Sequence, residues 1–169
     1  MTGSSERLVW RDFDALTPRE LHDLLRLRCD VFVVEQACAF PEIDGKDPAA
    51  AHLLAFAAGG ELVGCLRLFA PGPDKAARIG RVAVALVVRG TGLGRRLMAE
   101  ALAEVDRRFG AVPVDLSAQA HLERFYGGFG FLRIAQDYLE DGIPHCDMRR
   151  PAGATVARAT AGGATMAGR

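Results

Sequence analysis

The residues best suited to chemistry in this chain begin with a glycine-dense segment, residues 89–94, of sequence RGTGLG. A β-branched apolar run precedes it, and residues 95–109, whose apolar positions recur at helical spacing, follow it. A strand, a glycine turn and a helix in that order make a cradle for phosphate, because turn N–H groups and the positive end of the helix dipole converge there. Glycine also permits positive φ and a close approach of a ligand to the backbone. We therefore predict that this segment binds a phosphate-bearing ligand.

Three kinds of phosphate loop must be separated. A Walker loop ends in Gly-Lys-Ser/Thr, whereas Gly94 is followed by two arginines, which excludes that class. A dinucleotide fingerprint is matched by Gly90 and Gly92, but Arg95 stands where its third glycine belongs. Asp115 could pass for the ribose-binding acid, yet the chain after the loop is too short for a doubly wound sheet. A nicotinamide-dependent oxidoreductase and a turn that binds nothing are the weaker alternatives.

The third pattern, R-x-x-G-x-G, is met by Arg89, Gly92 and Gly94. It resembles the pyrophosphate loop of the GNAT superfamily of acyl-CoA N-acyltransferases. The resemblance implies that the loop amides hold the coenzyme A pyrophosphate and that the preceding strand hydrogen-bonds the pantetheine arm, with Val82 pairing with it and the N–H of Val84 serving the acyl oxygen. The coenzyme-binding residues implied in this way are Val82, Ala83, Val84, Arg89, Gly90, Thr91, Gly92, Leu93, Gly94, Arg95, Gln119 and Phe125.

A second motif, residues 119–131, has the sequence QAHLERFYGGFGF. It resembles the GNAT segment in which a tyrosine precedes a Gly-Phe pair by four residues, and Gln119 stands where that family often has asparagine. The resemblance implies that Tyr126 protonates the departing coenzyme thiolate, whose ordinary pKa is about 8.5. The alternative is that Tyr126, close to Leu122 and Phe129 on a helix, is only a core aromatic.

An amine acceptor must lose a proton before it attacks, so a general base is expected. Glu35, Asp44, Asp141 and His145 are the candidates, with Glu35 and His145 preferred; histidine is the side chain that ordinarily titrates nearest neutrality. The other interpretations are a helix end for Glu35 and turns for Asp44 and Asp141. No metal is expected, because the histidines and cysteines have no ligand spacing, as is clear from the positions His52, Cys65, His121 and Cys146.

Further segments extend the resemblance over residues 8–150 and point to the ElaA-type branch of the GNAT superfamily. They are residues 27–36, 44–45, 118–121 and 140–145, with Met148. The implied function is an N-acetyltransferase that moves acetyl from acetyl-CoA to a primary amine of a small molecule or peptide, directly within a ternary complex. The alternatives are a non-catalytic acyl-CoA-binding or sensor domain and, less favoured, an acyltransferase like the acyl-homoserine lactone synthases.

Composition limits the partners. At 169 residues the chain has the size of one domain, and its formal net charge of +0 gives no field that would attract nucleic acid or an anionic membrane. The four cysteines have no C-x-x-C pair, and neither a signal peptide nor a membrane-length apolar run is present. We expect a cytoplasmic protein without nucleic-acid or membrane partners, and a homodimer is conceivable.

The elements that must position these residues follow from hydrophobic periodicity and turn signals. We predict a mixed α/β fold of the GNAT type, with a central, mostly antiparallel sheet of six to seven strands and helices on both faces. One domain covers residues 1–150, and the Ala/Gly/Thr-rich residues 151–169 form a disordered tail. The predicted strands are 8–13, 52–58, 61–70, 78–84, 112–116, 131–134 and 146–150, and the predicted helices are 17–35, 95–109 and 121–129.

Overall fold

The computed structural model describes residues 6–154 and shows one mixed sheet flanked by helices. The part of the predicted tail from residue 155 onward lies outside the described residues. Within them the strands are β1 Arg7–Asp12, β2 Ala50–Phe56, β3 Leu62–Phe69, β4 Ala77–Val84, β5 Val114–Gln119, β6 Leu132–Arg133, β7 Tyr138–Glu140 and β8 Ile143–Arg150. The helices are α1 Pro18–Cys29, α2 Leu93–Phe109 and α3 Glu123–Gly127.

The sheet order is β1-β2-β3-β4-β5-β8-β6, with β7 paired to β8. Pairing is antiparallel except between β4 and β5, which run parallel. The predicted fold class is therefore confirmed. The sheet nevertheless has one strand more than expected, because β7 is a three-residue strand with no alternating pattern to reveal it.

Both faces of the sheet are buried, which explains why β2 and β3 read as continuous apolar runs. On β2, Leu53 and Ala55 pack in the larger core with α2. Leu54 and Phe56, which alternate with them, pack in a smaller core with Leu24 of α1. The two helices thus fix the sheet from opposite sides.

Helix α1 begins where a capping box predicts it. The Thr17 hydroxyl accepts a hydrogen bond from the N–H of Glu20, and the Glu20 carboxylate accepts one from the N–H of Thr17. The predicted single helix to residue 35 is wrong in detail, because α1 ends at Cys29 and a wider π-helical segment, Asp30–Glu35, follows. Such segments often occur at functional sites.

Strands β4 and β5 pair only at Ala77–Val114 and Arg78–Asp115. Past this point β4 is hydrogen-bonded to β3 alone, and its register shifts at a bulge where Arg81 has a φ of +53°. The sheet therefore opens into a cleft between β4 and β5.

Among residues 6–154, no helix is both long and apolar enough to span a membrane.

Candidate active site

A cavity of about 1030 Å³ occupies the opening between β4 and β5. Its lining includes all three predicted catalytic side chains and most predicted coenzyme contacts, namely Glu35, Tyr126, His145, Val82, Val84, Arg89, Gly90, Gly92, Leu93, Gly94, Arg95, Gln119 and Phe125. Two predicted contacts do not line it. Ala83 is buried against the α1 core, and the Thr91 hydroxyl donates to the Val88 carbonyl at 2.8 Å. The alternation of a strand turns the side chain of Ala83 away from the cavity.

The glycine loop forms the entry to α2. Gly90 and Gly92 have φ values of +79° and +86°, and Gly92 is the N-cap of the helix. The first N–H groups of α2 have no acceptor within the helix and are available to a ligand. This arrangement suits an anionic group in the way the sequence predicts.

Arg95 adds positive charge beside this helix end. Its guanidinium lies 5.8 Å from the centre of the Phe125 ring and 5.9 Å from that of Phe129. Within residues 6–154 it has no carboxylate within 4.0 Å. The aromatic rings hold the cation without neutralising it, so it remains able to pair with an anionic ligand.

The second half of β4 presents free backbone groups to the cavity. The Arg89 Nε donates to the Val84 carbonyl at 3.0 Å, whereas the N–H of Ala85 bonds to Val63 of β3 at 2.8 Å. In an extended strand the N–H and C=O of one residue point to the same side, and those of the next residue point to the opposite side. Since Ala85 bonds to β3, the N–H and C=O of Val84 and of Val82 point away from β3 and toward the cavity. An extended ligand arm could pair here as an added strand.

Glu35 and Arg89 form an ion pair across this end of the cavity. The hydrogen bonds from Arg89 lower the pKa of the Glu35 carboxyl, outweighing the opposing effect of burial. A carboxylate held in this way is a weaker base, and the pair ties the π-helical segment to the end of β4.

Tyr126 lies on α3 and is buried, with its ring 5.0 Å from that of Phe125 and 6.2 Å from that of Phe131. Burial raises the pKa of its phenol to about 12, so the hydroxyl keeps its proton at neutral pH. No described residue hydrogen-bonds this hydroxyl. Nearby, Gln119 Nε2 donates to Gln36 Oε1 at 3.0 Å, which links β5 to the chain after the π-helical segment.

His145 lies on β8, where its Nδ1 is 2.8 Å from the Ile143 carbonyl. A carbonyl oxygen only accepts, so Nδ1 carries a proton and Nε2 holds the lone pair when the ring is neutral. The ring stacks on Tyr138 at 6.1 Å, and Nε2 lies 3.8 Å from Glu140 Oε2. The arrangement leaves Nε2 able to take a proton.

A network of buried charges closes one end of the cavity, and no sequence pattern predicts it. Arg28 Nη1 bonds Asp47 at 2.7 Å, and Arg67 bonds Asp47 at 2.9 Å and Asp44 at 2.6 Å. Glu42 contacts Arg28, and its Oε2 lies 2.8 Å from Arg81 Nε without the alignment of a hydrogen bond. The three arginines balance the three acids, and this pairing offsets the cost of burying each charge.

This network bears on Asp44, one of the four base candidates. Hydrogen bonds from Arg67 hold the pKa of the Asp44 carboxyl far below its usual range, despite partial burial. Such a group is a poor base. Asp141 lies in the β7–β8 turn, where its φ of +49° and the +80° of Gly142 confirm the predicted turn.

Within the described residues, no group of three or more histidine, cysteine or acidic side chains is placed to hold a metal ion.

The fold and the cavity are those expected of an acyltransferase, and the comparisons with known proteins agree. Residues 31–151 match the family model described as an acetyltransferase (GNAT) domain, so the chain belongs to the GNAT acetyltransferase family. The chain is similar to a UPF0039 protein of Mycobacterium tuberculosis, with 43% identity over 94% of this chain and 99% of that protein.

Two solved structures are also similar. The crystal structure of an acyl-CoA N-acyltransferase from Pseudomonas aeruginosa has a TM-score of 0.82 and 44% identity, and the match covers 86% of this chain and 99% of that one. The crystal structure of Escherichia coli ElaA has a TM-score of 0.80 and 38% identity, with the same coverage of 86% and 99%. The ElaA-type resemblance is thereby confirmed.

Proposed function

We propose that this GNAT protein transfers acetyl from acetyl-CoA to a primary amine of a small molecule or peptide, directly within a ternary complex. One observation carries the proposal. The glycine loop at the start of α2, the edge of β4 that faces away from β3 and the side chain of Tyr126 all line a single cavity.

The residues of this cavity fit coenzyme A. The loop at Gly90 and Gly92 and the N-terminus of α2 suit the pyrophosphate, and Arg95, which has no acidic partner among residues 6–154, contributes positive charge beside them. The peptide groups of Val82 and the N–H of Val84, which face the cavity, suit the amide-containing pantetheine arm, while the Val84 carbonyl accepts from Arg89. When bound, acetyl-CoA supplies a reactive thioester carbonyl and a thiolate leaving group.

Three groups of this chain then have roles in the transfer. The N–H of Val84 donates to the acyl oxygen, where negative charge develops. Tyr126, which keeps its proton at neutral pH, donates it or a hydrogen bond to the departing sulfur. His145 accepts the proton of the amine at Nε2, a better-suited base than Glu35, whose carboxylate Arg89 engages.

Amine-dependent release of coenzyme A thiol tests the proposal. The protein is incubated with acetyl-CoA and a panel of amines, and thiol release and the acetylated product are followed. Coenzyme A is expected to raise the melting temperature, and the mass of the protein is expected not to change in acetyl-CoA alone. Stabilisation by coenzyme A without turnover of any amine would favour the non-catalytic alternative. If coenzyme A does not stabilise the protein, the whole proposal fails.

A further inference from the structure

The cations that line the cavity differ in whether they have an acidic partner. Arg67, Arg81 and Arg89 each have a carboxylate within 4.0 Å. Arg78, at the end of β4 away from the glycine loop, and Lys46 have none among residues 6–154. Among the described residues, these two cations therefore have no carboxylate in direct contact.

Arg78 is held at the point where the sheet divides. It is the last residue of β4 that pairs with β5, and its partner in the register is Asp115. The Asp115 carboxylate does not pair with Arg78, because it accepts a hydrogen bond from Arg149 Nε at 2.7 Å. Arg78 Nη2 donates to the Ser117 hydroxyl at 2.8 Å, and that hydroxyl donates to Asp147 at 2.7 Å. One hydrogen bond thus orients the guanidinium, and its other N–H groups have no partner among the described residues, so they can bind a planar anion such as a carboxylate.

The lining of the cavity also includes side chains that can accept a proton. Glu140, Asp141 and His145 of the β7–β8 hairpin line the same cavity. In the β5–β8 register Ser117 is opposite Asp147, so His145 is its diagonal neighbour. Diagonal neighbours on one sheet face lie about 7–8 Å apart, so His145 is close to the hydroxyl that holds Arg78, and a small molecule with two charged ends could contact both residues.

From this arrangement we infer that the acceptor is a small amino carboxylate, whose carboxylate binds Arg78 while its amine lies at His145. The inference rests on the proposed function. Lys46 is a further cation in the lining of the cavity, and Ser117 acts as a positioning residue for Arg78. Arg78 is then a specificity-determining residue for the acceptor and makes no contact with the coenzyme.

The test compares matched acceptors and matched variants. Glycine, β-alanine and γ-aminobutyrate are each compared with their primary amides in the thiol-release assay, using the wild-type protein, Arg78→Gln, Arg78→Lys and the control Arg26→Gln. Arg26 is an exposed arginine on α1 that does not line the cavity.

The wild type is expected to prefer at least one amino acid over its amide by about tenfold or more in kcat/KM. Arg78→Gln is expected to remove that preference, lowering kcat/KM for the acid about 10- to 100-fold through KM while the KM for acetyl-CoA is unchanged. Arg78→Lys is expected to recover part of it, and Arg26→Gln to behave as wild type. Equal use of acids and amides, or an equal loss for both in Arg78→Gln, would overturn the inference.

A binding measurement separates this inference from the proposed function. The melting temperature of the protein saturated with coenzyme A is measured with each acid and each amide. A rise with the acid alone, lost in Arg78→Gln, supports the inference even if turnover fails. No difference between acid and amide overturns the inference, and amine-dependent thiol release in the same samples would leave the proposed function intact.

Discussion

Replacing Arg28 with methionine is expected to destabilise the protein strongly. Arg28 is only 1% exposed, and its partners Glu42 and Asp47 are 3% and 4% exposed. Methionine keeps the length of the apolar stem but removes the charge, so three buried or half-buried acids would face only the two remaining arginines, Arg67 and Arg81.

Breaking a buried ion pair from one side typically costs about 3–5 kcal/mol, a large share of the roughly 5–15 kcal/mol that stabilises a domain. For a domain of this size the corresponding fall in melting temperature is roughly 6–20 °C. Urea unfolding, followed by circular dichroism, gives the free energy, and calorimetry gives the melting temperature.

A double variant separates charge balance from lost packing. In Arg28→Met/Glu42→Gln two arginines again face two acids, and the double variant is expected to be about 0.5–3 kcal/mol more stable than the sum of the single losses. The control Arg26→Met, on the exposed face of α1, is expected to change stability by no more than about 0.5 kcal/mol. If Arg28→Met costs less than about 1 kcal/mol, or the double variant shows no recovery, the reasoning about this network is refuted.

Three further changes test the site and the core. Gly92→Ala places a side chain on a residue with a φ of +86°, at a cost of about 1–2 kcal/mol. The variant is expected to bind coenzyme A about tenfold more weakly, as measured by titration calorimetry. Gly72→Ala, at a turn glycine without positive φ, is the control and is expected to leave the affinity unchanged. His145→Gln is expected to lower kcat/KM about 100-fold or more, and a comparable loss in Glu35→Gln but not in His145→Gln would reassign the base. Burial lowers the pKa of His52, so the unfolded chain binds a proton more readily than the native state does, and the stability of the protein should fall as the pH drops below about 6.5. This fall should be smaller in His52→Gln than in the exposed control His22→Gln. Equal pH slopes of the urea midpoint in the two variants would contradict the assignment to His52.

Local patterns made much of this structure predictable. The capping box at Thr17 and the two-residue turn at Asp141 and Gly142 are determined by neighbouring residues, so the sequence alone reveals them. The same holds for the glycine loop before α2 and for Tyr126 on α3, although their chemical roles remain predictions.

Features that depend on tertiary pairing were not accessible in this way. Arg28, Asp47 and Arg67 are separated by about twenty residues each along the chain, and only the docking of α1 on the sheet brings them together. The bulge at Arg81 and the separation of β4 from β5 depend on register, which no local pattern encodes. The division of the cations into paired and unpaired groups, from which the role of Arg78 is inferred, is visible only in the assembled cavity.

The most direct test of the central claim is the rate of amine-dependent thiol release by Tyr126→Phe relative to the wild type, at saturating acetyl-CoA and acceptor. Phenylalanine keeps the ring contacts with Phe125 and Phe131 and removes only the hydroxyl. We predict a fall in kcat of about 100-fold or more, with coenzyme A affinity and melting temperature close to those of the wild type. A variant that turns over at the wild-type rate would contradict the role of Tyr126 as the proton donor to the departing thiolate.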